Sequence, residues 1–166
     1  MTDRRGHILK IIEENPGIRF RKIMRISGMK NGVLSHHLRY MEDMGRIRVV
    51  RGPRQASYSS LNITEKQFKV ARALQRPTSR AILLSLTVED GLRFVDLVEQ
   101  CKKAPSTVSV YLADTIKEEL VTSRIVSKEK RYYTNCRSEV NFLVETHTPS
   151  RIEKVVSGFE DIINSL

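Results

Sequence analysis

An internal repeat limits the folds open to this chain, because the sequence matches itself without a gap when residue 17 is aligned with residue 91, an offset of 74. The segment "GIRF" at Gly17 to Phe20 recurs as "GLRF" at Gly91 to Phe94. The same offset aligns further positions, most of them apolar and at helical spacing: Ile8 with Ile82, Leu9 with Leu83, Ile12 with Leu86, Ile23 with Leu97, Ser35 with Ser109, Leu38 with Leu112, Ile47 with Val121 and Tyr58 with Tyr132. We therefore expect one structural unit to occur twice.

The first copy has the pattern of three helices followed by a β-hairpin. Apolar periodicity and the positions of glycine and proline predict helices at Arg4 to Glu14, Phe20 to Ser27 and Asn31 to Met44. The segments "RIRVV" and "SYSSL" then indicate two strands, joined by the polar segment "RGPRQA". Three helices followed by a basic hairpin predict a winged helix-turn-helix module.

The second and third helices each have an inward and an outward face. Ile23 and Ile26 are expected to face inward from the second helix. The i, i+3, i+4, i+7 rule predicts that the inward stripe of the third helix consists of Leu34, His37, Leu38 and Met41. Its opposite, solvent-facing side carries Asn31, Gly32, Ser35, His36 and Arg39.

The second copy repeats this order. Helices are predicted near Thr78 to Thr87, Phe94 to Cys101 and Pro105 to Leu120, followed by strands "TSRIV" and "RYYTN" around the segment 127–130. A connecting helix is expected from Thr64 to Gln75. The fold class is thus mainly α with small β-hairpin wings: two tandem winged helix-turn-helix modules plus C-terminal helices. The predicted boundaries are 1–62 for module 1, 63–76 for the connecting helix, 77–136 for module 2 and 137–166 for a C-terminal helical segment.

The net charge of +10 favours a polyanionic partner, and the charge is concentrated in the first half of the chain. Residues 1–76 contain 17 Lys and Arg against 6 Asp and Glu, which leaves 12 against 13 for residues 77–166 out of the totals of 29 and 19. The first half is therefore +11 and the second half is −1. This asymmetry predicts that module 1 provides most of the affinity for DNA.

The segment "LSHHLRYMEDMGRI" resembles winged-helix regulators of the ArsR and MarR type, whose third helices commonly follow the pattern Ser-x-His-Leu-x-x-Leu-Glu-x-x-Gly-x-Ile. The resemblance covers residues 4 to 61; the second module resembles the family only loosely and has Glu119 in place of Gly45. It implies a prokaryotic, especially archaeal, transcription factor that forms a homodimer and inserts its third helix into the major groove of double-stranded DNA. The presence of a small-molecule effector stays open.

Side chains suited to reading bases or holding phosphates fall on the second helix, the third helix and the wing of module 1. Arg39 offers a two-pronged contact to guanine, whereas Asn31 suits either adenine or the role of helix cap. Arg51 and Arg54 flank the turn of the wing. The full set of DNA-binding candidates in module 1 is Arg19, Arg21, Lys22, Arg25, Lys30, Asn31, Ser35, His36, Arg39, Arg48, Arg51 and Arg54.

Module 2 presents a weaker set of candidates at the equivalent positions. They are Lys102, Lys103, Ser106, Thr107, Ser109, Lys128, Lys130 and Arg131. The predicted third helix of this module also carries the acidic residues Asp114, Glu118 and Glu119, which reduce its attraction for DNA. DNA contact and the docking of a protein partner both remain open for module 2. The alternative for the whole chain is an interaction subunit of a transcription or chromosome-maintenance complex.

Other classes of function are disfavoured. The chain has no Gly-rich phosphate loop, no GxSxG and no HExxH, so we expect neither an enzyme nor a cofactor. His37 is expected to be a packed, hydrogen-bonded histidine, since neighbouring residues of a helix point about 100° apart and His36 and His37 cannot readily hold one metal ion. Cys101 and Cys136 lack metal-ligand spacing. With no long apolar run, the protein is expected to be cytoplasmic and not bound to membranes.

The last eighteen or so residues predict an amphipathic helix that opens at Pro149 and Ser150. Its apolar stripe consists of Ile152, Val155, Val156, Phe159, Ile162, Ile163 and Leu166. A stripe of this width requires a partner surface, and the sequence predicts that it joins two chains into a homodimer. Packing of the helix on its own chain is the alternative.

Overall fold

The computed structural model describes residues 3–147 and divides them into two compact units. Unit 1 contains the described residues up to Ile63 together with those from Asn141 onward, and unit 2 contains Thr64–Val140. Both units are mainly helical, and each has a small antiparallel β-hairpin. Within residues 3–147, no helix is long and apolar enough to cross a membrane. The C-terminal stripe predicted between Ile152 and Leu166 lies outside the described residues.

Unit 1 has three helices before its hairpin, at the positions that the sequence predicts. The elements are α1 (Arg4–Glu14), β1 (Ile18–Arg19), α2 (Phe20–Ser27), α3 (Asn31–Asp43), β2 (Ile47–Arg51) and β3 (Ala56–Ser60). β1, the short extended segment in "GIRF", pairs with β3 through Ile18 and Tyr58 and completes a three-stranded sheet of order β1-β3-β2. The sheet thus ties the start of α2 to the hairpin.

The core of unit 1 forms where α1, α2 and α3 pack together with the sheet. Ile8, Ile11 and Ile12 recur at i, i+3 and i+4 along α1 and are buried. Their partners in the same cluster are Ile18, Ile23, Leu34, Leu38, Met41, Ile47 and Tyr58. Because α3 contributes three of these residues, its opposite side is held facing solvent.

The prediction for Ile26 is wrong, because 43% of this residue is exposed. The inward face of α2 is instead formed by Phe20, Ile23 and Met24, which pack on the core at i, i+3 and i+4. Ile26 is about 110° from the middle of that face at about 100° per residue. A three-residue spacing from Ile23 therefore does not place Ile26 inside.

Unit 2 begins with a helix that was predicted from the sequence as a connector. Thr64 and Gln67 form a capping box at its start. The backbone N–H of Gln67 donates to the Thr64 hydroxyl over 3.1 Å, and the backbone N–H of Thr64 donates to the Gln67 side-chain oxygen over 2.8 Å. The elements are α4 (Glu65–Leu74), α5 (Pro77–Val88), α6 (Phe94–Cys101), α7 (Pro105–Lys117), β4 (Val121–Val126) and β5 (Glu129–Thr134). α8 (Arg137–Thr146) follows and crosses the boundary between the units.

Two predicted bounds in unit 2 are corrected. α7 ends at Lys117 rather than Leu120, because Glu119 adopts a left-handed backbone with φ of 62°. β5 starts at Glu129, which leaves a two-residue turn in the wing instead of the predicted 127–130 segment. Both turn residues, Ser127 and Lys128, have positive φ, and such a turn fits the twist of a β-hairpin.

The turns of the two units have related backbone angles. Gly28 after α2 and Lys102 after α6 are left-handed, with φ of 69° and 53°. Gly45 after α3 and Glu119 after α7 are left-handed as well, with φ of 65° and 62°. Each pair is separated by the offset of the sequence repeat, so the second copy keeps these turns without their glycines.

Candidate nucleic-acid interface

The solvent-facing arc of α3 is the surface that the sequence singles out. With about 100° per residue, Arg39 falls near the middle of this arc, with Ser35 towards one edge and His36 towards the other. All three side chains are exposed, as predicted, while Leu34 and Leu38 on the other side are buried. α3 therefore presents a guanidinium, an imidazole and a hydroxyl on one accessible face.

Asn31 is the first residue of α3 and not its cap. The cap position belongs to Lys30, and no side chain caps this helix. The Asn31 side-chain oxygen instead accepts a hydrogen bond of 3.1 Å from the Ser35 hydroxyl. The capping role considered for Asn31 is thus wrong, and both side chains lie together at the edge of the outward arc.

Several basic side chains of α2 and of the turn before α3 form no ion pair with a described carboxylate. Arg21, Arg25 and Lys30 are exposed, and Arg19 and Lys22 are half-buried. The ion pairs found in the described part of unit 1 are Lys10 with Glu14 and Arg51 with Glu42. Among the described residues, no ion pair engages Arg21, Arg25, Lys30 or Arg39.

The arginines of the wing differ in how firmly the protein holds them. Arg48 donates to the Ile63 carbonyl over 2.8 Å, which directs it into unit 1 rather than towards a ligand. Arg51 makes two hydrogen bonds of 2.8 and 2.7 Å to the two carboxylate oxygens of Glu42, and these bonds hold the pKa of Glu42 below its usual value. Arg54 is exposed in the β2–β3 turn. Of the three, Arg54 is the wing cation most available to an anion.

His37 is half-buried on the inner side of α3, but the prediction that it is hydrogen-bonded is wrong. Its Nδ1 is buried and has no partner among the described residues. Burial lowers the pKa of His37, and the positive charges of Arg5, His36 and Arg4 lower it further. No group of three or more His, Cys, Asp or Glu side chains within residues 3–147 is arranged to hold a metal ion.

One contact beside α3 was missed from the sequence. The guanidinium carbon of Arg5 in α1 lies 3.7 Å from the centre of the Tyr40 ring. Tyr40 is 37% exposed and follows His36 by one helical turn. Arg4 and Arg5 are adjacent in the sequence at the start of α1, and this basic pair was the signal available for such a contact. The sequence does not place them beside α3, because that depends on how the two helices pack.

In unit 2 the predicted candidates lie mainly at the surface. Lys102, Lys103, Ser106, Ser109, Lys128 and Lys130 are exposed, whereas Thr107 and Arg131 are half-buried. Arg131 donates 2.9 Å to the Gly91 carbonyl and 3.0 Å to Glu129, so it is engaged within the unit. The remaining side chains are accessible to a partner.

Arginines of unit 2 are engaged by nearby carboxylates. Arg76 pairs with Glu118 at 3.0 Å, Arg93 with Asp96 at 3.0 Å and Arg137 with Asp90 at 2.7 Å. These pairs cancel charge locally. Unit 2 therefore has fewer arginines that are exposed and unpaired among the described residues than unit 1 has.

Aliphatic side chains occupy positions in unit 2 that correspond, at the repeat offset, to polar positions of unit 1. Val95, Val110 and Ile125 replace Arg21, His36 and Arg51. Their exposed fractions are 65%, 60% and 71%, so none is part of a core. The corresponding surface of unit 2 is accordingly less polar than that of unit 1.

Both cysteines of unit 2 are buried and reduced. Burial raises the pKa of Cys101 to about 11 and also raises the pKa of Cys136. The Cys136 thiol donates to the Leu120 carbonyl over 3.7 Å. Buried thiols with raised pKa values are poor nucleophiles, so neither is a candidate for chemistry.

Comparison with known proteins finds a family model described as "winged helix-turn-helix DNA-binding", which matches residues 1–48. A MarR-family transcriptional regulator from Silicibacter pomeroyi is a structural match with 14% identity, a TM-score of 0.37 and coverage of 80% of this chain and 89% of that one. A protein from Corynebacterium diphtheriae matches with 16% identity, a TM-score of 0.32 and coverage of 79% and 26%. No curated protein matches. Residues 1–48, which include α1, α2 and α3, are therefore similar to a winged helix-turn-helix DNA-binding domain.

Proposed function

We propose that this protein is a sequence-specific transcriptional regulator, of the ArsR or MarR type, that binds double-stranded DNA. It consists of two winged-helix modules in tandem, acts in the cytoplasm as a homodimer and requires no cofactor. In module 1, α3 enters the major groove and the basic wing contacts the backbone or the minor groove. Module 2 contributes less to DNA affinity.

The observation that carries this proposal is the outward arc of α3. Arg39 is exposed near the middle of the arc, where its guanidinium can offer a two-pronged contact to a guanine edge. Arg21, Arg25 and Lys30 are exposed nearby in sequence and are not neutralised by carboxylates of the described chain. A base-reading side chain accompanied by phosphate-binding cations is the combination that specific DNA recognition requires.

A second candidate function applies to unit 2. The exposed aliphatic residues at positions corresponding to Arg21, His36 and Arg51 favour docking of a protein partner over DNA contact. Unit 2 would then connect a DNA-bound module 1 to another component of a transcription or chromosome-maintenance complex. This assignment is compatible with DNA binding by module 1.

The test compares Arg39→Ala with Arg54→Ala in the full chain. Arg39→Ala is expected to remove about 1 to 3 kcal/mol of discrimination between the preferred duplex and a random one. Arg54→Ala should weaken binding to both duplexes alike, because phosphate contacts carry no sequence information. Competition binding with the two duplexes, after selection of the preferred sequence from a random pool, measures both effects.

Equal losses on the two duplexes for Arg39→Ala would remove this residue from the base-reading set. If the wild-type chain binds no duplex at low salt, the DNA-binding function itself is wrong. Lys10→Ala is the control, since Lys10 is a cation of the same unit that already pairs with Glu14.

A further inference from the structure

The contact between Arg5 and Tyr40 joins the start of α1 to one edge of the outward arc of α3. The guanidinium carbon lies 3.7 Å from the ring centre, which is within the range of a cation–π interaction. No carboxylate of residues 3–147 forms an ion pair with Arg5 or with its exposed neighbour Arg4. The stacked guanidinium therefore has a defined position, and no described carboxylate neutralises it.

Glu42 and Tyr40 mark opposite edges of the same arc. They are two residues apart, so about 200° of the helix surface separates them in one direction and about 160° in the other. The second of these sides is the exposed side, and Arg39 lies on it between them. The wing lies at the Glu42 edge, because Glu42 binds Arg51 at the end of β2. Arg5 lies at the Tyr40 edge. Basic residues thus stand on both sides of the base-reading arc.

A helix in the major groove has a phosphate backbone on each side of it, because the groove is about 12 Å wide. A wing on one side of α3 leaves the other backbone to be held by different residues. Asp43, at the C-terminal end of α3, is the one acidic residue of this helix on the Tyr40 side of the arc. Arg5 is positioned by its ring contact, so little side-chain freedom is lost when it binds.

We propose that Arg5, stacked on Tyr40 and assisted by Arg4, forms a second phosphate-binding site on the side of α3 away from the wing. The ligand is a backbone phosphate of the same DNA duplex. This inference rests on the proposed function of α3. It assigns to α1, which supplies Ile8, Ile11 and Ile12 to the core, a direct part in holding the strand that the wing does not reach.

The experiment measures the affinity of the full chain for its preferred duplex as a function of salt. Loss of one phosphate contact lowers the magnitude of the slope of the logarithm of the binding constant against the logarithm of the salt concentration by about 0.9. The fold-change in affinity between about 50 and about 200 mM salt is then smaller by a factor of about 3.5. Arg5→Ala should show this loss. Tyr40→Leu keeps the charge but removes the ring, so it should weaken binding by less than Arg5→Ala does.

The matched control is Lys10→Ala, which removes a cation from the same helix and should keep the wild-type slope. Arg5→Lys, which keeps the charge, should recover most of the slope and so separates a phosphate contact from damage to the fold. An unchanged slope for Arg5→Ala, in a chain that binds duplex, overturns the second site and leaves the proposed function intact. Absence of duplex binding by the wild type overturns both.

Discussion

His37 shows how a single residue on the inner side of α3 depends on its surroundings. Its neighbour His36 is exposed on the outward arc, whereas His37 has a buried Nδ1 without a hydrogen-bond partner among residues 3–147. Protonation of His37 would bring a charge into a partly desolvated place close to Arg5 and Arg4, which is why its pKa is lowered. The folded state therefore favours the neutral imidazole.

This preference predicts a pH dependence of stability. The unfolded chain binds a proton at His37 near the ordinary pKa of about 6.5, before the folded chain does. The free energy of unfolding should then fall as the pH is lowered from about 6.5 through the lower folded pKa. Urea unfolding of His37→Gln at about pH 7 and about pH 5 should show a smaller loss of stability than the wild type.

His7→Gln is the control for this experiment, because His7 is exposed and is not one of the groups that lower the pKa of His37, and it should follow the wild-type loss. His147, whose pKa is also lowered mainly by burial, remains in all three proteins and contributes equally to them. A His37→Gln variant that loses as much stability as the wild type would show that His37 is not responsible.

At the scale of secondary structure, the units differ in the charge on and after α2 and α6, two helices that correspond at the repeat offset. α2 and the turn after it carry exposed Arg21, Arg25 and Lys30, whereas α6 has Val95 and Glu99 at the positions that correspond to the two arginines. Lys102 and Lys103 in the turn after α6 are the nearest available cations of unit 2. The two regions can be compared by removing two charges from each.

We expect Arg21→Ala with Arg25→Ala to lower the magnitude of the salt slope by about 1.8, the value for two lost phosphate contacts. Lys102→Ala with Lys103→Ala removes the same formal charge and should change the slope far less. Fluorescence anisotropy of a labelled duplex at several salt concentrations provides the comparison. A larger loss from the lysine pair would mean that the asymmetry of charge does not determine which unit holds DNA.

Most helix bounds followed from local signals, because apolar spacing, glycine and proline define helices within one segment of chain. The bounds of α1 and α2 agree with those predicted, and the connecting helix differs from α4 by one residue at each end. The wrong prediction for Ile26 is an error of helical spacing within α2. The pairing of Arg51 with Glu42 could not be predicted locally, because it requires the wing to fold against α3.

The candidate site likewise has features that local sequence patterns predict and features that depend on tertiary contacts. Exposure of Ser35, His36 and Arg39 follows from the periodicity of α3, since burial of Leu34 and Leu38 fixes which side faces out. The engagement of Arg48 by the Ile63 carbonyl does not follow from any local pattern. Neither does the stacking of Arg5 on Tyr40, which brings together residues from two helices.

At the scale of the whole molecule, the proposed function raises the question of how many basic recognition surfaces one chain presents to DNA. One chain provides a single strongly basic α3 surface, so two half-sites require two chains. The apolar side chains between Ile152 and Leu166, outside the described residues, are the sequence feature that predicts a homodimer. Two recognition helices would then be spaced by about 34 Å or a multiple of it, and an imperfect palindrome is expected.

Light scattering on the full chain tests this prediction. The wild type should have the mass of a dimer, and Phe159→Glu with Ile163→Glu should shift it to the monomer, since burial of each such side chain contributes about 1.5 to 3 kcal/mol before ordering costs. Ser157→Glu with Asn164→Glu adds the same charge on the predicted polar side and should remain dimeric. A monomeric wild type, or a fully dimeric Phe159→Glu/Ile163→Glu variant, would contradict the prediction.

The left-handed turns after α6 and α7 have a consequence for the heat tolerance of the protein. Lys102 and Glu119 hold a backbone conformation that costs a residue with a side chain about 1 kcal/mol or more, and both are exposed. Glycine avoids this cost, although it adds freedom to the unfolded chain. Unit 1 already has Gly28 and Gly45 at the corresponding places. The thermal stability of unit 2 can consequently be raised by substitutions at these two surface turns, which leave its core and the outward side of α7 unchanged.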